Sequence, residues 1–119
     1  SLVGFLASDA GVQKSCPQVL LANTRTLSAA SLAALEAQLR HREYFFALRR
    51  KSAWVDGATL LEVLKLLRAC LQQHVATCHF LLVMDCSPVH ASDSVIRQAA
   101  RCGFHLVFVP ACMTGTLQP

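Results

Sequence analysis

Charged residues are scarce in this chain of 119 residues: they make up 15% of it, against 54% hydrophobic residues. This composition excludes an intrinsically disordered chain, because such chains combine low hydrophobicity with high net charge. The length predicts one domain with its own hydrophobic core. Eleven Lys and Arg against seven Asp and Glu leave a net charge of +4. So mild an excess permits contact with nucleic-acid phosphates without requiring it.

Cysteine pairs of the kind that bind zinc are also lacking. The six cysteines are Cys16, Cys70, Cys78, Cys86, Cys102 and Cys112. They form no C-x-x-C pair and no zinc-finger spacing with His, so no zinc site is expected. Cys70, Cys78 and Cys102 lie within apolar patterns, where a free cysteine acts as a small core residue. We therefore expect a reduced, intracellular protein.

The sequence also lacks a membrane span and a targeting signal. The longest stretches without Lys, Arg, Asp or Glu, residues 69–84 and 102–119, are interrupted by His, Gln or Pro. The first residues show neither an initiator Met nor a charged-then-apolar signal pattern, and the sequence ends on Gln118-Pro119. These features predict no membrane partner, and both ends look cut.

The hydrophobic pattern predicts an α/β domain. The predicted elements are a hairpin of residues 2–7 and 17–22 around a turn at 8–11, a helix over 28–42, a strand over 44–48, a helix over 57–73, a strand over 79–84, a helix over 92–102 and a strand over 104–109. Ser28 or Ser31, Asp56 and Ser92 are expected to cap the three helices, and Gly103 to end the last one. Trp54 is expected to anchor the core.

Asp85 follows a near-continuous apolar run, which is typical of a strand buried on both faces. A carboxylate at that point needs a partner or a metal, because burying it alone costs free energy. Open α/β sheets place their sites at the carboxyl ends of strands. Position alone leaves two interpretations: Asp85 is a functional carboxylate, or it accepts backbone N–H groups of the next turn, such as that of Ser87.

A family resemblance extends over residues 81–119. It is carried by Leu81-Leu-Val-Met-Asp85-Cys-Ser-Pro-Val-His90, by Leu106-Val-Phe-Val-Pro110 after a helix, and by Thr114-x-x-Leu117-Gln118-Pro119. This order resembles the DDE superfamily endonuclease domain of pogo/Tigger/jerky-type transposases. That family has a strand ending in Asp, an Asn-x-Pro-x-His loop, a helix, a strand ending in Pro, and a Thr-x-x-Leu-Gln-Pro-Leu-Asp segment. The earlier part of the chain is similar to the family only weakly.

The resemblance implies an α/β fold with a ribonuclease-H-like mixed sheet flanked by helices. Residues 1–119 would then form a partial domain that lacks the first strand and the C-terminal helix. Three carboxylates of such a domain hold two Mg²⁺ or Mn²⁺ ions that cut and transfer DNA strands. Asp85 matches the second carboxylate, which makes it the implied catalytic and metal-binding residue. The resemblance further implies DNA as partner, a nuclear protein, and an oligomer formed through the intact transposase.

This sequence departs from the family pattern at several positions. The third acid would lie two residues beyond Pro119, and the first on a strand before the hairpin, so the isolated chain is expected to be inactive. Asp9 is the one alternative ligand, although its Ser-Asp-Ala-Gly context favours a turn. Cys86 stands where the family has Asn, and a thiol forms weaker hydrogen bonds than an amide. Even the intact parent is therefore expected to be a weakened or decayed enzyme.

His90 and a basic cluster each allow two interpretations. His90 matches the loop His of the family; it orders the active-site loop or contacts phosphate, or it only bonds to backbone before the next helix. The basic residues Arg49, Arg50 and Lys51, with Arg40 and Arg42, flank aromatic residues 44–46. Such a mixture contacts nucleic acid, or else forms a solvated face over core aromatics.

Two other functions compete with the enzyme. The first is a transposase-derived domain without activity that binds nucleic acid or a protein. The second is an aspartyl-phosphate protein, either a response regulator or a dehalogenase-type phosphatase. The sequence disfavours the second, because Ser87 stands where the phosphatase needs another Asp, and Asp9 is the only acid early in the chain for a receiver domain.

Overall fold

A computed structural model describes residues 1–40, 42–52 and 54–110. The elements in chain order are β1 (Leu2–Val3), α1 (Ala10–Gln13), β2 (Gln18–Asn23), α2 (Ala29–Leu39), β3 (Phe45–Arg50), α3 (Gly57–Cys70), a 3₁₀ turn (Gln72–His74), β4 (Phe80–Asp85), α4 (Asp93–Arg101) and β5 (Phe104–Val109). They group into two compact units, Ser1–Val55 with Ala69–Gln72, and Asp56–Arg68 with Gln73–Pro119. The α/β class predicted from the sequence is confirmed.

The first unit contains a mixed sheet of order β1-β2-β3. β1 runs antiparallel to β2, as the predicted hairpin requires, but has only two residues. The side chain of Gln13 explains the short strand: its amide nitrogen donates to the Phe5 carbonyl at 3.0 Å, and its amide oxygen accepts from Ala7 N at 2.6 Å. These bonds replace strand pairing for residues 5 and 7. The predicted turn holds the one-turn helix α1, which Asp9 caps through Val12 N.

β3 is longer than predicted. It runs parallel to β2, and Arg49 and Arg50 lie within it, opposite Ala22 and Asn23. The strand was predicted over 44–48; backbone pairing with the end of β2 extends it through Arg49 and Arg50. α2 begins after Ser28, whose hydroxyl accepts from Ser31 N, and ends at Leu39.

The second unit contains the parallel pair β4-β5, in register from Phe80 opposite Phe104 to Asp85 opposite Val109. α4 packs on β5 and buries Val95 and Ala99. Gly103 ends this helix with φ +78°, a conformation that only glycine adopts without strain. Asp56 caps α3, its Oδ1 accepting from Thr59 N, as predicted.

Two burial predictions are wrong. β4 was expected to be buried on both faces, yet Leu81 is 64% and Val83 48% exposed. Within the described residues β4 pairs with β5 alone, so that sheet has too few neighbours to bury both faces. Trp54 is 81% exposed and is not a core anchor. It lies in a bend before α3, where its backbone N–H donates to Ser52 Oγ, and it is therefore not part of the apolar face of the helix.

In the described part of the chain the strands form two sheets, one of three strands and one of two. The predicted Thr114 to Pro119 segment lies outside the described residues. In the part of the chain that the structure describes, no helix has the length and apolar character needed to cross a bilayer.

Candidate functional site

Asp85 is the last residue of β4, at the carboxyl end of the parallel pair. The apolar run before it forms the strand, and Cys86 N continues the ladder by donating to Val109 O at 3.1 Å. The Asp85 side chain is 40% exposed. The carboxylate is therefore held on a regular strand yet reaches solvent.

The loop after Asp85 is a compact turn that precedes α4. Ser87 closes it twice: its hydroxyl accepts from His90 N at 3.3 Å, and its carbonyl accepts from Ala91 N at 2.9 Å. Ser92 occupies the N-cap position of α4, but the predicted side-chain cap is absent: its Oγ donates back to Val89 O at 3.0 Å and makes no cap hydrogen bond to the helix. These hydrogen bonds position His90 near the end of β4.

His90 lies directly against Asp85. Its Nδ1 contacts the carboxylate Oδ1 and also lies 3.1 Å from the backbone carbonyl oxygen of Asp85. Both oxygens are acceptors, so Nδ1 carries the hydrogen. The second ring nitrogen, Nε2, is then left for another partner, since the imidazole orientation is set from the Nδ1 side.

The contact with His90 decides between the two interpretations of Asp85. Asp85 does not cap the turn through Ser87 N; its carboxylate holds a histidine instead. None of the described residues donates a hydrogen bond to the other carboxylate oxygen, Oδ2. The arrangement can therefore orient an imidazole, and it can offer one carboxylate oxygen to a cation.

The described residues do not by themselves form a two-metal site. In residues 1–40, 42–52 and 54–110, no group of three or more His, Cys, Asp or Glu side chains is close enough to share a metal ion. Asp9, the alternative ligand, accepts from Val12 N as a helix cap. The chemistry of Asp85 suits Mg²⁺ or Mn²⁺, but one carboxylate supplies only part of what two such ions require.

Cys86, which stands where the related family has Asn, is exposed beside Asp85. Its backbone takes part in the β4-β5 ladder. Among the described residues, the Cys86 thiol makes no hydrogen bond that closes the loop, and Ser87 closes it instead. The Cys86 side chain therefore does not determine the conformation of the loop.

The basic cluster has one member with a clear structural task. Arg49 donates from Nε to Leu27 O at 2.6 Å and from Nη2 to Thr24 O at 3.2 Å, which fixes the segment between β2 and α2. Arg50 donates from Nη1 to Arg49 O at 3.1 Å. Lys51 is exposed after the strand ends. Of the three candidate nucleic-acid contacts, Lys51 is thus the one presented most openly to solvent.

Sequence reasoning missed two positioning residues. Ser87 shapes the turn that brings His90 to Asp85, and Gln13 holds the segment after β1. The only sequence signal for Ser87 is its place three residues before His90, at the start of a turn with Pro88. Gln13 gives no local signal, because its partners lie six and eight residues away.

Comparisons with protein-family models, curated proteins and solved structures gave no match to this chain.

Proposed function

We propose that this chain contributes to a metal-dependent DNA endonuclease or transposase domain of the DDE type, with Asp85 as one catalytic carboxylate. The observation that supports this most is the order strand, Asp85, loop, helix, strand, with β4 and β5 parallel. Open α/β sheets have their sites at the carboxyl ends of the strands. Asp85 lies at that end of β4, and its side chain is partly exposed to solvent. The proposal includes a ribonuclease-H-like sheet for the complete domain.

The proposed cofactor is Mg²⁺ or Mn²⁺. Two divalent cations repel each other, and several carboxylates are needed to offset that repulsion. Asp85 supplies one, and the family resemblance puts the other two outside residues 1–119. We therefore propose that the 119-residue chain is inactive alone. DNA as partner, a nuclear location and assembly into an oligomer belong to the same proposal.

A second function is a transposase-derived domain that binds nucleic acid or a protein without cutting. The contact between His90 and the Asp85 carboxylate favours it, because a cation at Oδ1 must compete with an imidazole already in place. Cys86 in place of Asn supports the same alternative.

The two functions differ in strand cleavage. The test is Mg²⁺-dependent nicking of a supercoiled plasmid by the full-length product of the gene that encodes this chain. We expect Asp85→Asn to abolish nicking, because it removes the charge that a cation needs and keeps the side-chain size. DNA binding should survive or strengthen, since one negative charge is lost. Cys86→Asn should nick equally or better.

Asp93→Asn is the matched control. It makes the same change at an exposed acid in the first turn of α4 and should nick like the wild type. Equal nicking by the wild type and Asp85→Asn would overturn the catalytic role of Asp85. Intact DNA binding without nicking by any variant would establish the binding function instead.

A further inference from the structure

A groove of about 620 Å³ opens in the first unit, at the end of the sheet where β2 and β3 begin. Its walls are the segment after β1 (residues 4–6), the segment between α1 and β2 (residues 13–18) and the segment before β3 (residues 42–45). Pockets for small molecules occupy roughly 300–1,000 Å³. The groove is thus large enough for one nucleotide.

Hydrogen bonds hold the groove open. The side-chain amide of Gln13 bonds to the backbone of Phe5 and Ala7, so the segment after β1 does not pair with β2. On the opposite wall, Gln18 N donates to Tyr44 O at 2.8 Å, which joins the first residue of β2 to the entry of β3. Hydrogen bonds within the chain therefore set the shape of the groove before any ligand binds.

The lining combines aromatic rings with cations. Phe5, Tyr44 and Phe45 are half-buried in the walls. Lys14 and Arg42 lie exposed on the rim, and neither forms an ion pair with a described residue. An aromatic surface for stacking beside cations for phosphate is the chemistry that binds single-stranded nucleic acid.

Glu43 and Leu6 narrow the choice of ligand. Glu43 also lines the groove, so its carboxylate weakens the attraction for a bare inorganic anion. A carboxylate accepts hydrogen bonds from the exocyclic amine of cytosine. Leu6 is 77% exposed and adds apolar surface at the entrance. The ligand that fits should therefore offer a ring with an amine as well as a phosphate.

We propose that this groove binds a nucleotide of single-stranded DNA, with the base against Tyr44 and the phosphates near Lys14 and Arg42. The site is independent of Asp85, which belongs to the other unit. The proposal for the groove therefore does not depend on the proposed nuclease function.

The test is fluorescence anisotropy of the 119-residue chain with labelled dC12, and with an abasic strand of equal length and charge. We expect dC12 to bind about tenfold more tightly, because stacking of bases contributes most of the difference. Tyr44→Leu should remove that preference. Lys14→Gln and Arg42→Gln should weaken binding of both strands and each lower the slope of log K against log salt by about 0.7.

Arg25→Gln is the matched control: it removes the same charge from the same unit, at an exposed position beyond the opposite end of β2. It should bind like the wild type. Equal affinity for dC12 and the abasic strand would overturn the proposal, as would equal losses in Arg25→Gln and Arg42→Gln, or no binding at all. Circular dichroism melting of each variant separates loss of binding from loss of fold.

Discussion

Nδ1 of His90 contacts two oxygens of Asp85 at once, the carboxylate Oδ1 and the backbone carbonyl at 3.1 Å. Asp85 ends a strand and His90 closes the turn that follows, so one imidazole links the end of β4 to the loop that leads into α4. The residue that sequence reasoning singled out as a metal ligand is thus also a structural partner of the loop.

This contact predicts a measurable coupling between the two side chains. In a double-mutant cycle with Asp85→Asn and His90→Gln, we expect a coupling free energy of unfolding of about 0.5 kcal/mol. The value is small because both side chains reach solvent, 40% for Asp85 and 27% for His90, and water screens the pair. Urea unfolding of the four proteins measures it. Strictly additive effects would show that the contact does not persist in solution.

Metal affinity is the next prediction. With one carboxylate available, the 119-residue chain should bind Mn²⁺ no better than about millimolar. Isothermal titration measures this directly. Micromolar affinity that disappears in Asp85→Asn and remains in Asp93→Asn would mean that other acids of this chain complete the site.

Arg49 is expected to matter for stability. Its two hydrogen bonds hold the carbonyls of Leu27 and Thr24, and Arg49→Gln leaves both of them without their charged donor. We expect a loss of about 1–2 kcal/mol in the free energy of unfolding, since hydrogen bonds to charged groups contribute more than neutral ones.

Lys51→Gln, two residues further on and exposed, is the control for Arg49 and should change stability by less than about 0.5 kcal/mol. Urea unfolding compares the two variants. If Arg49→Gln leaves the free energy of unfolding unchanged, Arg49 has no structural role, and it is again a candidate DNA contact.

Cysteine reactivity should follow burial. Burial raises the pKa of the Cys16 thiol and that of Cys70 above the usual value. At pH 8 each therefore carries less of the reactive thiolate than an ordinary cysteine, and the deficit persists until the pH passes the raised pKa. Cys86 is exposed and should react first with iodoacetamide.

Peptide mapping by mass spectrometry at increasing times orders the sites. Cys70, which is buried, should be modified last, and urea should bring its rate close to that of Cys86. Early modification of Cys70 in the native protein would contradict the core packing around the end of α3.

Local signals determined much of this fold. Asp56 and Gly103 were predicted to mark the start of α3 and the end of α4, and both do so. Of the two candidates Ser28 and Ser31, Ser28 caps α2. The apolar runs before Asp85 and Pro110 determined β4 and β5 in the same way, because strand formation there needs only neighbouring residues of one kind. Asp85 at the end of a strand was therefore predictable from sequence.

Tertiary structure alone decided the rest. Whether Leu81 and Trp54 are buried depends on which elements lie beside them, and the apolar character of a residue does not specify that. The contact of His90 with Asp85 depends on the turn closed by Ser87, and the task of Arg49 depends on carbonyls 22 and 25 residues earlier. The groove near Tyr44 likewise joins segments far apart in the chain. Pairings of this kind arise from packing between distant residues, and no local pattern records them.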